Sequence, residues 1–167
     1  MPVPIRALCR AVGLVPTVLL VAAVGCETTP AYQEGVARVH GIVYELGVTP
    51  AEAAADDGIT VTLSLRNTYD EPATVVTADA CLAQLSVHRG GEWVEARGAD
   101  RVCAQVLTRH EIPAGDTVHE SWVLAVGGGQ EGALRPGRYE LRAQPSVREI
   151  DGEPVRFPQV ERTLIIR

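Results

Sequence analysis

The stretch ITVTLSLRN, residues 59–67, alternates strictly between apolar and polar side chains. A period of two residues is that of a β-strand with one buried face and one face in water. The apolar positions carry β-branched or leucine side chains: Ile59, Val61, Leu63 and Leu65. This stretch therefore predicts a half-buried strand.

The segment AQLSVHRGGEWVEA, residues 83–96, predicts a β-hairpin. Gly90 and Gly91 suit a two-residue primed turn, whose twist matches that of the flanking strands. This register places Val87 opposite Val94, so that apolar side chains face each other across the hairpin.

A second hairpin is predicted over residues 104–126, with a turn at Pro113–Asp116. In that register His110 lies opposite His119, about 5 Å away, and the two imidazoles could hold one metal ion. The alternative is two exposed imidazoles on a wet strand face. The same register pairs Arg109 with Glu120 on the other face.

Short strands separated by Gly, Pro and Asp turns are typical of an antiparallel sandwich. We predict an immunoglobulin-like β-sandwich of about 7–9 strands over residues 36–167, with at most one short helix. The helix is predicted at residues 49–58, where Thr49 and Glu52 form a capping box. Trp93 and Trp122 are expected to pack between the sheets, the alternative being a ligand-stacking role.

The first 25 residues differ from the rest. Arg6 and Arg10 precede an apolar run at 11–25, which is shorter than the roughly 20 residues of a spanning helix. Small residues come directly before Cys26. The order Ala-Val-Gly-Cys at 23–26 resembles the lipobox of bacterial lipoproteins, although Leu is commoner than Ala at its first position.

This resemblance implies a signal peptide at 1–25, a lipid on Cys26 and a tether at 26–35. The protein would then be exported and anchored in the cell envelope. Glu27, in place of Asp, implies the outer membrane if the host has one. An ordinary secretory signal and an uncleaved anchor are the alternatives.

The cysteine count agrees with export. If Cys9 leaves with the signal and Cys26 carries lipid, Cys81 and Cys103 remain as one disulfide pair in an oxidising compartment. The alternative is a metal site, but two cysteines 22 apart with no CxxC partner are weak ligands.

Composition excludes several classes of function. The chain is 46% hydrophobic and 22% charged, as globular domains are, and the part after Cys26 carries 13 − 21 = −8 charges. Such acidity argues against nucleic-acid binding. We expect no cofactor, and the acidity at Asp79 and at Asp56–Asp57 is interpreted as solvated loop rather than as a calcium site.

The sequence also argues against an enzyme. The four serines of the chain lie inside strand patterns, without the Gly-x-Ser-x-Gly elbow of a nucleophile, and the carboxylates are scattered. They are Ser64, Ser86, Ser121 and Ser146.

Three turns and the strands between them carry a family resemblance over residues 59–145. Asn-x-x-Asp-x-Pro, Pro-x-Gly-Asp and Pro-Gly-x-Tyr occur in the order seen in the BsuPI-type intracellular proteinase inhibitors. The matching residues are Asn67, Asp70, Pro72, Pro113, Gly115, Asp116, Pro136, Gly137 and Tyr139.

The resemblance implies an immunoglobulin-type sandwich that binds proteins without catalysis, with a proteinase as the named partner. No inhibitory residue is carried over, and an exported protein cannot share a cytoplasmic target. A structural or assembly role in the cell envelope is the first alternative. An envelope metal-binding module, resting on His110 and His119, is the second.

Overall fold

A computed structural model describes residues 34–54, 58–127, 129 and 131–167. These residues contain thirteen β-strands and no helix, which confirms the all-β prediction. The strands are β1 Val36–Val39, β2 Ile42–Thr49, β3 Glu52–Ala53, β4 Ile59–Asn67, β5 Ala73–Thr77, β6 Ala83–Arg89, β7 Glu92–Val94, β8 Thr108–Ile112, β9 Thr117–Leu124, β10 Gly137–Pro145, β11 Val147–Ile150, β12 Glu153–Pro154 and β13 Val160–Ile166.

The strands form three sheets around one apolar core. Their orders are β1-β2-β4-β9, β3-β13-β10-β6-β7 and β12-β11-β5-β8. Side chains from all three sheets contribute to a single buried cluster, as in a β-sandwich. The strand number exceeds the predicted 7–9 because three strands are only two or three residues long, and residues 36–49 contribute two strands joined as a hairpin. Of the named strand pairs, β3 with β13 is parallel.

Strand β4 is confirmed as the half-buried strand that its alternation predicts. Its apolar side chains are all fully buried, whereas Thr60, Thr62 and Ser64 are partly exposed. Each buried aliphatic side chain of this size stabilises the fold by about 1.5–3 kcal/mol. The strand lies between β2 and β9 and so holds its sheet together.

Two predicted elements have the expected geometry. The hairpin β6–β7 turns at Gly90 and Gly91, both with positive φ, and pairs Val87 with Val94. Tyr139, of the Pro-Gly-x-Tyr turn, donates from its hydroxyl to the Arg135 carbonyl at 2.8 Å. Such a bond fixes the entry of a strand in immunoglobulin-like sandwiches.

Asn67 joins two of the three family turns. Its buried amide nitrogen donates to the carbonyls of Glu71 at 2.7 Å and Ile112 at 3.0 Å. Its backbone N–H donates to the Asp116 carbonyl at 2.9 Å. These family residues therefore have a structural role.

The helix predicted at 49–58 is wrong over the part of this segment that the structure describes. Thr49 ends β2 and pairs with Thr60, while Glu52 begins β3 and pairs with Ile165. The Glu52 carboxylate forms an ion pair with Arg167 rather than a capping box. Strand pairing outweighs a local helix signal of only one turn.

The second predicted hairpin is also wrong. Strand β8 pairs with β5, and β9 pairs with β4, so the chain changes sheet between Ile112 and Thr117. His110 pairs with Val75 and His119 with Ser64. The strand pairing that would bring the two imidazoles together is therefore not formed.

Only one of the two tryptophans packs in the core. Trp122 is buried, but Trp93 is 60% exposed. Trp93 lies on the three-residue strand β7, which forms the edge of its sheet and pairs there with His88 of β6. The prediction that both indoles pack between sheets is wrong for Trp93.

The predicted signal peptide at 1–25, the lipidation site Cys26, Glu27 and most of the tether at 26–35 lie outside the described residues, as do Asp56 and Asp57. They remain predictions. Within the described ranges, the structure has no apolar helix of membrane-spanning length.

Candidate functional site

Residues 101–107, between β7 and β8, form an exposed segment that we call the 101–107 loop. The Val102 side chain is fully exposed, at 101%, Leu107 is 70% exposed and Val106 is 53% exposed. None of the three contributes substantially to the core. Clustered apolar side chains mark contact surfaces, and these three lie within one short segment of the chain.

The disulfide between Cys81 and Cys103 fixes the middle of the loop and confirms the predicted pair. The Cα atoms of these cysteines are 5.7 Å apart. Next to the disulfide, the Ala80 N–H donates to the Ala104 carbonyl at 2.9 Å. One covalent bond and one backbone hydrogen bond thus hold the loop to the segment that precedes β6.

Arg101 fixes the start of the loop against β9. Its Nη1 lies 2.5 Å from Oε1 of Glu120, and its Nη2 donates to the Ser121 carbonyl at 2.9 Å. Its guanidinium carbon is 5.6 Å from the ring centroid of Trp122, within cation–π range. The arginine side chain is therefore held by contacts within its own domain.

Glu120 connects the two attachments. Its side chain is only 9% exposed, and its Oε2 accepts hydrogen bonds from the N–H groups of Leu82 at 2.7 Å and Ala83 at 3.1 Å. These residues directly follow Cys81. One carboxylate therefore joins the arginine of the loop to the segment that carries the disulfide partner.

Sequence reasoning missed the roles of Arg101, Val102 and Glu120. It paired Glu120 with Arg109 on the basis of the hairpin that does not form. A signal was present, because Glu120 stands in the same alternating phase as Trp122 and Leu124, which are buried. A carboxylate in an otherwise apolar series indicates a buried polar partner.

Asp79 corrects the expectation of a solvated acidic loop. It is 5% exposed, and its Oδ1 accepts a hydrogen bond from the Cys81 N–H at 2.9 Å. The Ser146 hydroxyl lies 3.4 Å from its Oδ2. Within the described part of the chain, the group of three metal-type ligands found is Asp79 with Cys81 and Cys103. Both sulfurs are in the disulfide, so they are not thiolate ligands.

One serine lies beside a histidine on β6. The Ser86 hydroxyl and Nε2 of His88 are 3.1 Å apart. The other ring nitrogen of His88, Nδ1, is buried and has no hydrogen-bond partner among the described residues. The orienting third group of a Ser-His-acid triad is therefore not found at this pair.

A cleft of about 380 Å³ has Asp79, next to the disulfide, in its lining. Its lining mixes Asp79 with Arg148 and Arg156, and adds the carboxamides of Gln84 and Gln144. This lining has no single charge sign. The 101–107 loop is therefore the better-defined candidate for a contact surface.

Comparison with known families agrees with the turns described above. Residues 46–150 match the BsuPI family, described as "Intracellular proteinase inhibitor". The chain belongs to the BsuPI family. The match extends beyond the 59–145 predicted from the turns and includes the whole 101–107 loop.

No curated protein matches the chain. Solved structures with partial likeness include the alkylpurine DNA glycosylase AlkC of Pseudomonas fluorescens, at 16% identity and a TM-score of 0.33, over 81% of this chain and 31% of that one. The β-glucosidase EmGH1 of Erythrobacter marinus has 16% identity and a TM-score of 0.39, over 75% and 16%. A β-glucosidase of Listeria innocua has 15% identity and a TM-score of 0.37, over 82% and 17%. The chain thus spans less than a third of each, and these TM-scores bear on no functional argument.

Proposed function

We propose that this protein binds a proteinase without catalysing a reaction, and that the 101–107 loop enters the proteinase cleft. Family membership supports a proteinase as the partner. The observation that carries the proposal is the fully exposed Val102 between two neighbours that are both attached to the domain.

Attachment on both sides favours binding for an entropic reason. A loop that is already ordered loses less conformational freedom when it docks, so more of its contact energy appears as affinity. Extended segments bind proteins through backbone hydrogen bonds, with alternate side chains in pockets. Residues 100–104 form neither a helix nor a turn. The Ala104 carbonyl already accepts a hydrogen bond from the Ala80 N–H, so such pairing would use the backbone of residues 100–103.

Inhibition assays test the proposal. The purified protein is titrated against trypsin-, chymotrypsin- and elastase-type serine proteinases and against subtilisin, and we expect inhibition of at least one. Val123→Asp is a matched surface variant, because Val123 is 65% exposed on β9 and lies outside the loop. It is expected to inhibit as the wild type does. Full proteinase activity throughout, at micromolar protein, would count against the proposal.

We further propose that Cys26 carries a lipid and anchors the protein in the cell envelope. The lipobox-like order at residues 23–26 and the short apolar run before it support this proposal. Mass spectrometry of the mature N-terminus is the test, and an acylated Cys26 is the expected result. A free Cys26 thiol, or an intact signal segment, would contradict it. Capture of an envelope scaffold instead of a proteinase by the anchored protein would favour the structural role.

A further inference from the structure

We infer that Val102 is the side chain that occupies the primary specificity pocket of the proteinase, and that the partner is an elastase-type proteinase, whose pocket accepts small aliphatic side chains. The inference rests on the proposed function and names the partner class for the same loop. Its first support is exposure, because the whole Val102 side chain projects into solvent.

The neighbouring arginine is the weaker candidate for the specificity residue. A trypsin-type pocket binds an arginine through a buried aspartate. The Arg101 guanidinium, however, already contacts Glu120, the Ser121 carbonyl and the Trp122 ring. To enter a pocket it would have to give up all three contacts, whereas the fully exposed Val102 side chain has no such contacts to give up.

The other exposed residues of the loop are less suited to a deep pocket. Leu107 directly precedes β8, whose first residue Thr108 pairs with Thr77 of β5. The Thr108 hydroxyl also donates to the Val106 carbonyl at 3.2 Å. Side chains so close to a sheet cannot enter a cleft without contact between that sheet and the cleft rim. Val106 and Leu107 therefore fit shallower neighbouring subsites.

The shape of valine selects the pocket. Its side chain is short and branched at Cβ, and so it leaves most of a chymotrypsin-type slot empty. Serine proteinases differ at this pocket, which holds an aspartate in trypsin, is a hydrophobic slot in chymotrypsin and is small in elastase. Val102 therefore matches the small pocket.

The attachments also explain how the loop could resist cleavage. Hydrolysis of the Val102–Cys103 peptide bond consumes one water molecule and leaves a carboxylate on Val102 and an amine on Cys103. The first end stays held through Arg101 and the second through the disulfide. Both ends remain in the cleft, where re-formation of the bond releases the same water.

The test exchanges the side chain at one position. Val102→Asp is expected to weaken inhibition of an elastase-type proteinase by at least about 100-fold, as loss of a central anchor does. Val102→Arg is expected to gain at least about 100-fold against trypsin, because it supplies the cation that the trypsin pocket binds. The Val123→Asp control is expected to stay within about twofold of wild type. Circular dichroism and the oxidised mass show that each variant is folded.

The outcomes separate this inference from the proposed function. If the wild type inhibits a proteinase and neither Val102 variant changes the inhibition, the assignment of Val102 is wrong while proteinase binding stands. If the wild type inhibits only trypsin-type or chymotrypsin-type enzymes or subtilisin, the partner class is wrong. If the wild type inhibits nothing and Val102→Arg gains nothing against trypsin, both proposals fail. Inhibition of trypsin gained by Val102→Arg supports the assignment.

Discussion

Replacing Glu120 by alanine tests whether this carboxylate holds together the surroundings of the 101–107 loop. The substitution removes the acceptor of two backbone N–H groups, those of Leu82 and Ala83, in a region where water is largely excluded. It also removes the ion-pair partner of Arg101. The two losses differ in size because the backbone N–H groups are buried, whereas the Arg101 side chain is partly exposed.

The backbone donors dominate the expected cost. Each buried N–H left without an acceptor costs about 1–1.5 kcal/mol, so the pair costs about 2–3 kcal/mol. The Arg101 side chain is 44% exposed, and its ion pair adds only about 0.5 kcal/mol after screening by solvent. Glu120→Ala should therefore lower the free energy of unfolding by about 3 kcal/mol, and the melting temperature by about 10 °C in a domain of this size.

Urea unfolding of three variants gives the comparison. Arg101→Ala loses the ion pair and the stacking on Trp122 and should cost about 1 kcal/mol, a third of the Glu120→Ala effect. Glu111→Gln, on the exposed side of β8, is the control and should stay within about 0.5 kcal/mol. Equal costs for Glu120→Ala and Arg101→Ala would refute the reasoning, because the carboxylate would then act only through the arginine.

Three further predictions concern other parts of the domain. Tyr44→Phe should raise the free energy of unfolding by about 1 kcal/mol in thermal or urea unfolding, because the buried hydroxyl has no hydrogen-bond partner among the described residues; a loss of stability would contradict this. Replacing Cys81 and Cys103 together by alanine should cost about 3 kcal/mol, from the loop-closure entropy of a 22-residue separation, and should weaken any inhibition; a cost below about 1 kcal/mol would disagree with that mechanism. The hydrogen bond from the Thr163 N–H lowers the pKa of the Glu34 carboxyl below its ordinary 4.5. A carboxyl whose pKa is lowered by folding stabilises the fold above its ordinary pKa, and this stabilisation is lost as the pH falls through the folded-state pKa. Glu34→Gln should therefore be slightly less stable than wild type at pH 7 and equal to it once the pH is below the folded-state pKa, as measured by urea midpoints.

The strands could be predicted from sequence wherever one face is buried. The alternation at Ile59–Asn67 survives in the structure because a shift by one residue would expose every apolar side chain of β4. The Gly90-Gly91 turn was predictable because only a few turns match strand twist. In these cases the local sequence pattern directly reflects which strand face must be buried and which turn fits the strands.

Pairing across the Pro113–Asp116 turn was not predictable in the same way. A Pro-x-Gly-Asp turn can join two strands of one sheet or carry the chain to another sheet, and both have the same local signature. The outcome depends on Asn67, which bonds to both ends of that turn from another strand. The disulfide was predictable because only two cysteines remained to pair, which needs counting alone. The contact of Arg101 with Glu120 depends on how distant strands pack, and so it was not predictable.

The parallel pairing of β3 with β13 has a consequence for the order of folding. This pairing joins Ala53 to Ile166, which are far apart in sequence. Strand β4 also pairs with a distant strand, β9, and that pairing joins Ile59 to Leu124. Three short hairpins, β1–β2, β6–β7 and β11–β12, can form early, but none of them encloses the core. Chains dominated by such distant pairings fold over about milliseconds to seconds. Before β13 pairs with β10, one edge of β10 has no partner strand. Unpaired strand edges are the sites at which folding chains associate.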